Sequence, residues 1–164
     1  MKLTEWLQAQ IDREAEGTRK ALEAVPVDKS DWTPHPKSMP LGRLATLVAT
    51  MPSWVDMIAN RDELDISTGE GAPGAAHSNA DLLKMLDGAL DSARKALAGT
   101  NDEELQKPWK LKWGEKVLLE QPRNVVIADT IAHLAHHRGQ LTVYLRLNDC
   151  PVPAIYGASA DSGW

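Results

Sequence analysis

Three of the chain's five histidines lie within one five-residue stretch in the C-terminal part of the sequence. They are His133, His136 and His137. The imidazole nitrogen is a common ligand of divalent metal ions in proteins. The cluster therefore predicts a metal-binding site, provided that the backbone holds two of the rings on the same side.

The sequence around the histidines has the periodicity of an α-helix. Apolar residues recur at steps of three, four and seven positions, at Ile127, Ile131, Leu134, Leu141 and Leu145. On such a helix His133 and His137 are one turn apart and project from one face, as two imidazoles must to reach one ion. His136 points in a neighbouring direction. Asp129 precedes His133 by one turn, where it could hold the second ring nitrogen of that histidine.

The same spacing also has a purely structural explanation. Two histidines four residues apart occur by chance on helices, where partly buried rings form hydrogen bonds within a polar stripe. Spacing alone slightly favours this explanation, because a metal ion needs a third ligand that the spacing does not provide.

The motifs around the histidines resemble those of a known family. Residues 133–141 read His-Leu-Ala-His-His-Arg-Gly-Gln-Leu, and Tyr-Leu-Arg follows at 144–146, Val-Pro at 152–153 and Tyr-Gly at 156–157. This pattern is similar to the last helix and tail of the DinB-like (YfiT-like) metalloenzymes, and residues 36–45 resemble the family's approach to its second helix. The resemblance covers nearly the whole chain. It implies an all-α fold, an up-down-down-up four-helix bundle.

The resemblance also implies a function and an assembly. In this family three histidines hold a divalent metal between the second and fourth helices, and His133 and His137 match two of these ligands. Characterised relatives include thiol transferases that use low-molecular-weight bacterial thiols, and many members are homodimers. Imidazole ligands suit zinc, nickel and iron, so the identity of the metal stays open.

One position departs from the family pattern. The family's first histidine ends a Leu-Ala-x-His motif that precedes Pro-x-Trp, whereas residues 44–47 of this chain read Leu-Ala-Thr-Leu ahead of Pro-Ser-Trp at 52–54. Leucine cannot coordinate a metal, so Leu47 leaves the predicted site one protein ligand short. The loop residues His35 and His77 could replace it, although no spacing argument places either of them near His133.

Three classes of function are consistent with these residues. The first is a metal-dependent enzyme of the thiol-transferase or hydrolase kind, in which His133 and His137 bind the ion and a loop residue or water completes the coordination. The second is a relative that binds a small molecule without catalysis. The third is a dimeric structural or interaction domain. Leu47 favours the second and third classes, whereas the intact histidine pair, Arg138 and Gln140 favour the first.

Composition limits the remaining possibilities. A chain of 164 residues, 43% hydrophobic and 25% charged, is predicted to form one globular domain over residues 1–164. Its net charge is −5 and it has no Lys/Arg cluster, which argues against nucleic-acid binding. It also lacks a long apolar run and a signal-like N-terminus, which argues against a membrane span or secretion. The single cysteine, Cys150, fits a cytoplasmic location.

The rest of the chain is predicted to form the helices that position the histidines. Amphipathic patterns predict four of them, at residues 3–23, 41–59, 79–98 and 124–147. Pro52 is predicted to kink the second helix, because proline has no amide hydrogen to donate. Alternating apolar and polar residues between Trp109 and Leu119 predict a small hairpin or extended excursion before the last helix. Residues 62–76 are predicted to form a glycine-rich connection without regular structure.

Overall fold

The computed structural model describes residues 1–69 and 76–163 of the chain, and helices dominate them. The α-helices are α1 (Leu3–Glu23), α2 (Leu41–Thr50), α3 (Trp54–Asn60), α4 (Asn79–Ala98), α5 (Asp102–Leu105) and α6 (Arg123–Leu147). The β-strands are β1 (Glu63–Asp65), β2 (Pro108–Trp113) and β3 (Lys116–Pro122). Short 3-10 helices span Val27–Lys29, Met51–Ser53 and Ile66–Thr68.

The prediction of an all-α, up-down-down-up four-helix bundle is wrong, because the chain also forms a three-stranded mixed sheet in the order β1-β2-β3. Strands β2 and β3 pair antiparallel in the segment that was predicted to form an excursion. Strand β1 then adds to β2 in parallel, with Leu64 opposite Leu111. The excursion is thus part of a mixed sheet rather than an appendage to a helical bundle.

Strand β1 lies inside the stretch that was predicted to be an irregular connection; residues 70–75 of that stretch are outside the described residues. Three residues are too few to show an alternating pattern, so contacts with the hairpin define this strand. The ammonium of Lys112 lies 3.1 Å from the Glu63 carboxylate. The amide of Gly114, at a φ of 56°, donates to the carboxylate of Asp65 at 3.0 Å.

The helix predicted over residues 41–59 is interrupted at Pro52. Helix α2 ends at Thr50, a 3-10 turn contains the proline, and α3 begins at Trp54. Without an amide hydrogen Pro52 cannot continue the regular bonding of an α-helix. Hydroxyl groups bind nearby carbonyls instead: Ser53 donates to the carbonyl of Thr50 at 2.8 Å, and Thr50 donates to that of Thr46 at 2.9 Å.

The helices pack around one cluster of buried apolar side chains, to which α5 contributes Leu105 and β2 contributes Trp109. Helices α1, α2 and α3 each pack against both α4 and α6. Helix α6 buries residues at steps of three and four, including Ile127, Leu134 and Leu141. None of the helices in the described ranges has the length and apolar character needed to cross a membrane.

Side chains from other elements close both ends of α1. The carboxylate of Asp102 on α5 accepts hydrogen bonds from the amides of Leu3 and Thr4 at 2.9 and 3.2 Å. At the other end the side-chain amide of Asn79 on α4 donates to three carbonyls, those of Leu22, Glu23 and Val25. Because helix ends leave backbone groups without partners, these contacts hold the two ends of α1 against α5 and α4.

Candidate functional site

Helix α6 carries all three clustered histidines. The ring centroids of His133 and His137 lie 4.5 Å apart, with 39° between the ring planes. The ring of His136 lies farther away, 5.1 Å from His137 and 6.4 Å from His133. His133 and His137 are thus the closest pair, as their separation by one helical turn requires.

One aromatic side chain from a neighbouring helix contacts this pair. The indole of Trp54 on α3 meets the His133 ring edge-on, with 5.7 Å between centroids. Leu47 on α2 is half-buried and packs against the hydrophobic core. Both α2 and α3 pack against α6. Position 47 on α2 therefore carries an apolar side chain and not an imidazole.

This environment favours the neutral form of His133. Partial burial lowers the pKa of His133 below its ordinary value, because the charged ring would lose part of its hydration. The neighbouring rings of His137 and His136 lower this pKa further, since a second positive charge nearby would be repelled. Neutral imidazole is the form that binds metal ions.

The side chain of Gln140 joins the other two rings. Its carbonyl oxygen Oε1 lies 2.8 Å from Nδ1 of His137. Its amide nitrogen Nε2 lies 3.0 Å from Nε2 of His136. Asp129, by contrast, is exposed and has no hydrogen bond to His133 in the part of the chain that the structure describes, so the predicted carboxylate–histidine contact is not seen there.

The two loop histidines lie elsewhere. His35 is exposed between α1 and α2, where its Nδ1 accepts a hydrogen bond from the amide of Lys37 at 3.1 Å. His77 is exposed just before α4, and its amide donates to Asp81 at 3.1 Å. Across residues 1–69 and 76–163, no three histidine, cysteine or carboxylate side chains converge in a way that could hold an ion. Because Nε2 of His136 contacts the side chain of Gln140, only His133 and His137 are left as candidate imidazole ligands.

A buried ion pair lies next to the histidines in sequence, and its acidic member was missed by sequence reasoning. The Arg138 side chain, 2% exposed, lies 2.6 Å from the carboxylate of Glu14 on α1. Its Nη1 also donates to the carbonyl of Glu14 and to the hydroxyl of Thr18, both at 3.1 Å. Glu14 interrupts the buried stripe of α1, and a charge in such a stripe was the available signal.

The C-terminal tail completes this ion pair. The Tyr156 hydroxyl donates to the Glu14 carboxylate at 2.7 Å and accepts from Nη2 of Arg138 at 2.6 Å. Burial, and next the hydrogen bond to Glu14, raise the pKa of Tyr156. Farther along, the carboxylate of Asp161 accepts from Arg146 at 3.2 and 2.5 Å and from the amide of Val152 at 2.9 Å. These contacts hold the tail against α1 and α6.

Comparison with known proteins identifies relatives of this architecture. The family model of the DinB superfamily matches residues 10–141, which include Leu47 and the three histidines of α6. No functionally curated protein matches the sequence.

Several solved structures are similar in fold. A DinB-like protein from Bacillus cereus has a TM-score of 0.70 at 21% identity, over 93% of this chain and 97% of that chain. A DinB-like protein from Bacillus subtilis has a TM-score of 0.69 at 16% identity, over 90% and 96%. A protein from Exiguobacterium sibiricum, described as of the DinB family, has a TM-score of 0.66 at 16% identity, over 98% and 97%. At these identities the likeness concerns the fold alone.

Proposed function

Because this chain belongs to the DinB superfamily, we propose that it binds a divalent metal ion through His133 and His137, at a site that Leu47 leaves one protein ligand short. The observation that carries the proposal is the 4.5 Å separation of the two ring centroids on successive turns of α6. Metal–imidazole bonds are about 2.0–2.1 Å long. Two rings that share an ion must therefore be close neighbours, as these are.

The surroundings support binding by neutral imidazoles. The lowered pKa of His133 favours the neutral form of that ring. Trp54 on α3 meets His133 edge-on, at 5.7 Å between ring centroids. An ion bound here would lower the pKa of a coordinated water or thiol and so supply a nucleophile near neutral pH. The reaction class that fits is thus metal-dependent thiol transfer or hydrolysis.

The missing ligand makes the proposed site weak. Loss of a hydrogen-bonding partner outside the ligand set already lowers metal affinity roughly 10–100-fold, and loss of a direct ligand removes more. Zinc, nickel and iron all accept imidazole ligands. We therefore expect affinity below that of a three-histidine site, with coordination positions open to water or substrate.

Titration of metal-free protein without a histidine tag tests this proposal. We expect Leu47→His to raise zinc or nickel affinity by roughly 100-fold or more, since it supplies the missing imidazole. His137→Ala in that background should abolish the gain. Leu83→His adds an imidazole to another half-buried position, on α4, and should produce no comparable gain.

Two results would contradict the proposal. One is metal affinity that is unchanged by His133→Ala and His137→Ala in the natural sequence. The other is tight binding of one ion per chain without Leu47→His, because a further residue would then supply the third ligand.

A second candidate function is binding of a small molecule without a metal. The observation that favours it is the apolar character of the neighbouring positions. Leu47 occupies the family's ligand position, and the Trp54 ring meets the His133 ring edge-on. Thermal unfolding in the presence of low-molecular-weight thiols separates the two candidates. Stabilisation that survives a metal chelator supports the second candidate, whereas stabilisation that needs added metal supports the first.

A further inference from the structure

Gln140 contacts two histidines with opposite hydrogen-bonding groups. It follows His137 by three residues and His136 by four, so both rings lie within reach on the same side of α6. Its Oε1 faces Nδ1 of His137 at 2.8 Å, and its Nε2 faces Nε2 of His136 at 3.0 Å. One side chain therefore forms hydrogen bonds with both rings at the same time.

The polarity of these two contacts determines where the ring protons are. A carboxamide oxygen only accepts hydrogen bonds, so Nδ1 of His137 must carry the proton. A carboxamide nitrogen only donates, so Nε2 of His136 must be bare. In the neutral form, both rings are then the Nδ1–H tautomer. A free histidine side chain favours the opposite, Nε2–H tautomer, so the contact with Gln140 reverses the ordinary preference.

We infer that Gln140 is a positioning residue that sets the tautomers of His136 and His137 and thereby decides which nitrogen can bind a cation. With its proton on Nδ1, His137 presents the lone pair of Nε2. The equivalent lone pair of His136 accepts from Gln140 and is withdrawn from binding. The structure thus divides two adjacent histidines into one ligand and one spectator. The statement about the cation rests on the proposed function, whereas the tautomers do not.

The tautomers can be measured without metal. Long-range proton–nitrogen NMR spectra of metal-free protein, recorded where all rings are neutral, distinguish protonated from bare ring nitrogens. Single His136→Asn and His137→Asn variants assign the signals. In the natural sequence we expect both rings as Nδ1–H. The opposite pattern, with a bare Nδ1 in His137 and a proton on Nε2 of His136, would overturn the inference.

Two substitutions of the exposed Gln140 separate its two contacts. Gln140→Met keeps the length of the side chain but removes both contacts, so both rings should return to mainly Nε2–H. Gln140→Glu can only accept, so His137 should keep Nδ1–H while His136 changes to Nε2–H. Thr142→Val is the control: the Thr142 hydroxyl donates to the carbonyl of Gly139 and reaches neither ring. Unchanged tautomers in Gln140→Met would overturn the inference.

Metal titration of the same variants links the tautomers to binding. We expect Gln140→Met to lower zinc or nickel affinity on the order of threefold to tenfold, the effect of one exposed hydrogen bond, and Gln140→Glu to restore it. If the tautomers change as expected but no variant binds metal, the proposed function fails and the tautomer assignment stands. If metal binds through His133 and His137 but substitution of Gln140 leaves the tautomers unchanged, the tautomer assignment is wrong and the proposed function stands.

Discussion

In the proposed metal site, Leu47 and the histidine pair would have opposing effects on ion binding. Leu47 offers no lone pair for an ion, whereas a neutral imidazole at His133 or His137 would. The adjacent Arg138 contributes differently. Because it is buried and bonded to α1, it fixes the segment of α6 that carries the rings.

The buried ion pair leads to a prediction about stability. Glu14→Ala leaves the Arg138 charge buried without its carboxylate, and we expect a loss of roughly 3–5 kcal/mol in the free energy of unfolding. Glu14→Met combined with Arg138→Met should cost less than the sum of the single changes, because no unpaired charge remains. Urea unfolding measures both effects.

An exposed ion pair is the control for this prediction. Arg94 and Asp12 lie 2.8 Å apart with side chains 40% and 42% exposed. Arg94→Met should change the free energy of unfolding by about 0–1 kcal/mol, since water screens such pairs. Equal costs for the buried and exposed pairs would refute the energetic role assigned to Glu14.

The site was predictable from sequence only in part. The approach of His133 to His137 follows from helical periodicity and four-residue spacing, which are local properties. The contact of Gln140 with two rings depends on side-chain rotamers, and the partnership of Arg138 with Glu14 joins residues 124 positions apart. Neither follows from spacing. Whether His133 and His137 bind a metal stays a prediction.

At the level of elements, the helices followed local sequence and strand β1 did not. The helices predicted over residues 3–23 and 79–98 coincide with α1 and α4, and the break at Pro52 lies where proline chemistry requires it. Strand β1 depends on hydrogen bonds and charged contacts with a hairpin more than forty positions later in the chain. Such long-range pairing leaves no pattern within three residues.

The tail is the element with the clearest expected pH dependence. The hydrogen bond from Arg146, followed by that from the amide of Val152, lowers the pKa of Asp161. A lowered pKa in the folded state means that the carboxylate stabilises the fold above its unfolded pKa of about 3.9 and that this contribution is lost as pH falls through the folded value. We therefore expect the tail to loosen in acid before the helices unfold.

Hydrogen exchange of the Val152 amide reports this loosening, because that amide donates to Asp161. Asp161→Asn should weaken the protection of the Val152 amide at neutral pH. It should also make that protection less sensitive to a fall in pH. Glu115→Gln removes an exposed carboxylate at the hairpin turn and should leave the tail unaffected. Protection of Val152 that is the same at pH 3 and pH 7 in the natural sequence would contradict the role of Asp161.

For the whole molecule, membership of the DinB-like family is confirmed by the match over residues 10–141, although the all-α fold expected from that resemblance was wrong. A single domain over residues 1–164 stays a prediction. So does the homodimer expected from the same resemblance. The exposed side of α6 offers one surface for it, since Val143 and Leu147 are each 56% exposed and lie one turn apart.

We expect sedimentation equilibrium at micromolar concentration to give twice the 18.0 kDa mass of the chain. Val143→Lys combined with Leu147→Lys should shift the mass towards the monomer, because two charges would then oppose burial of that surface. Val117→Lys, on the exposed face of the hairpin, is the matched control and should leave the mass unchanged. A monomeric mass for the natural sequence would contradict the dimer.

The contact between Tyr156 and Glu14 also has a consequence for the order of events during synthesis. These residues are 142 positions apart, and Tyr156 is synthesised after all of α6. Helix α1 and most of α6 are therefore available before the phenol that completes the bonding of Glu14 and Arg138. Until Tyr156 has been synthesised, water must bind that carboxylate and guanidinium in its place, so the packing of α1 against α6 is completed only after the segment that follows α6 has left the ribosome.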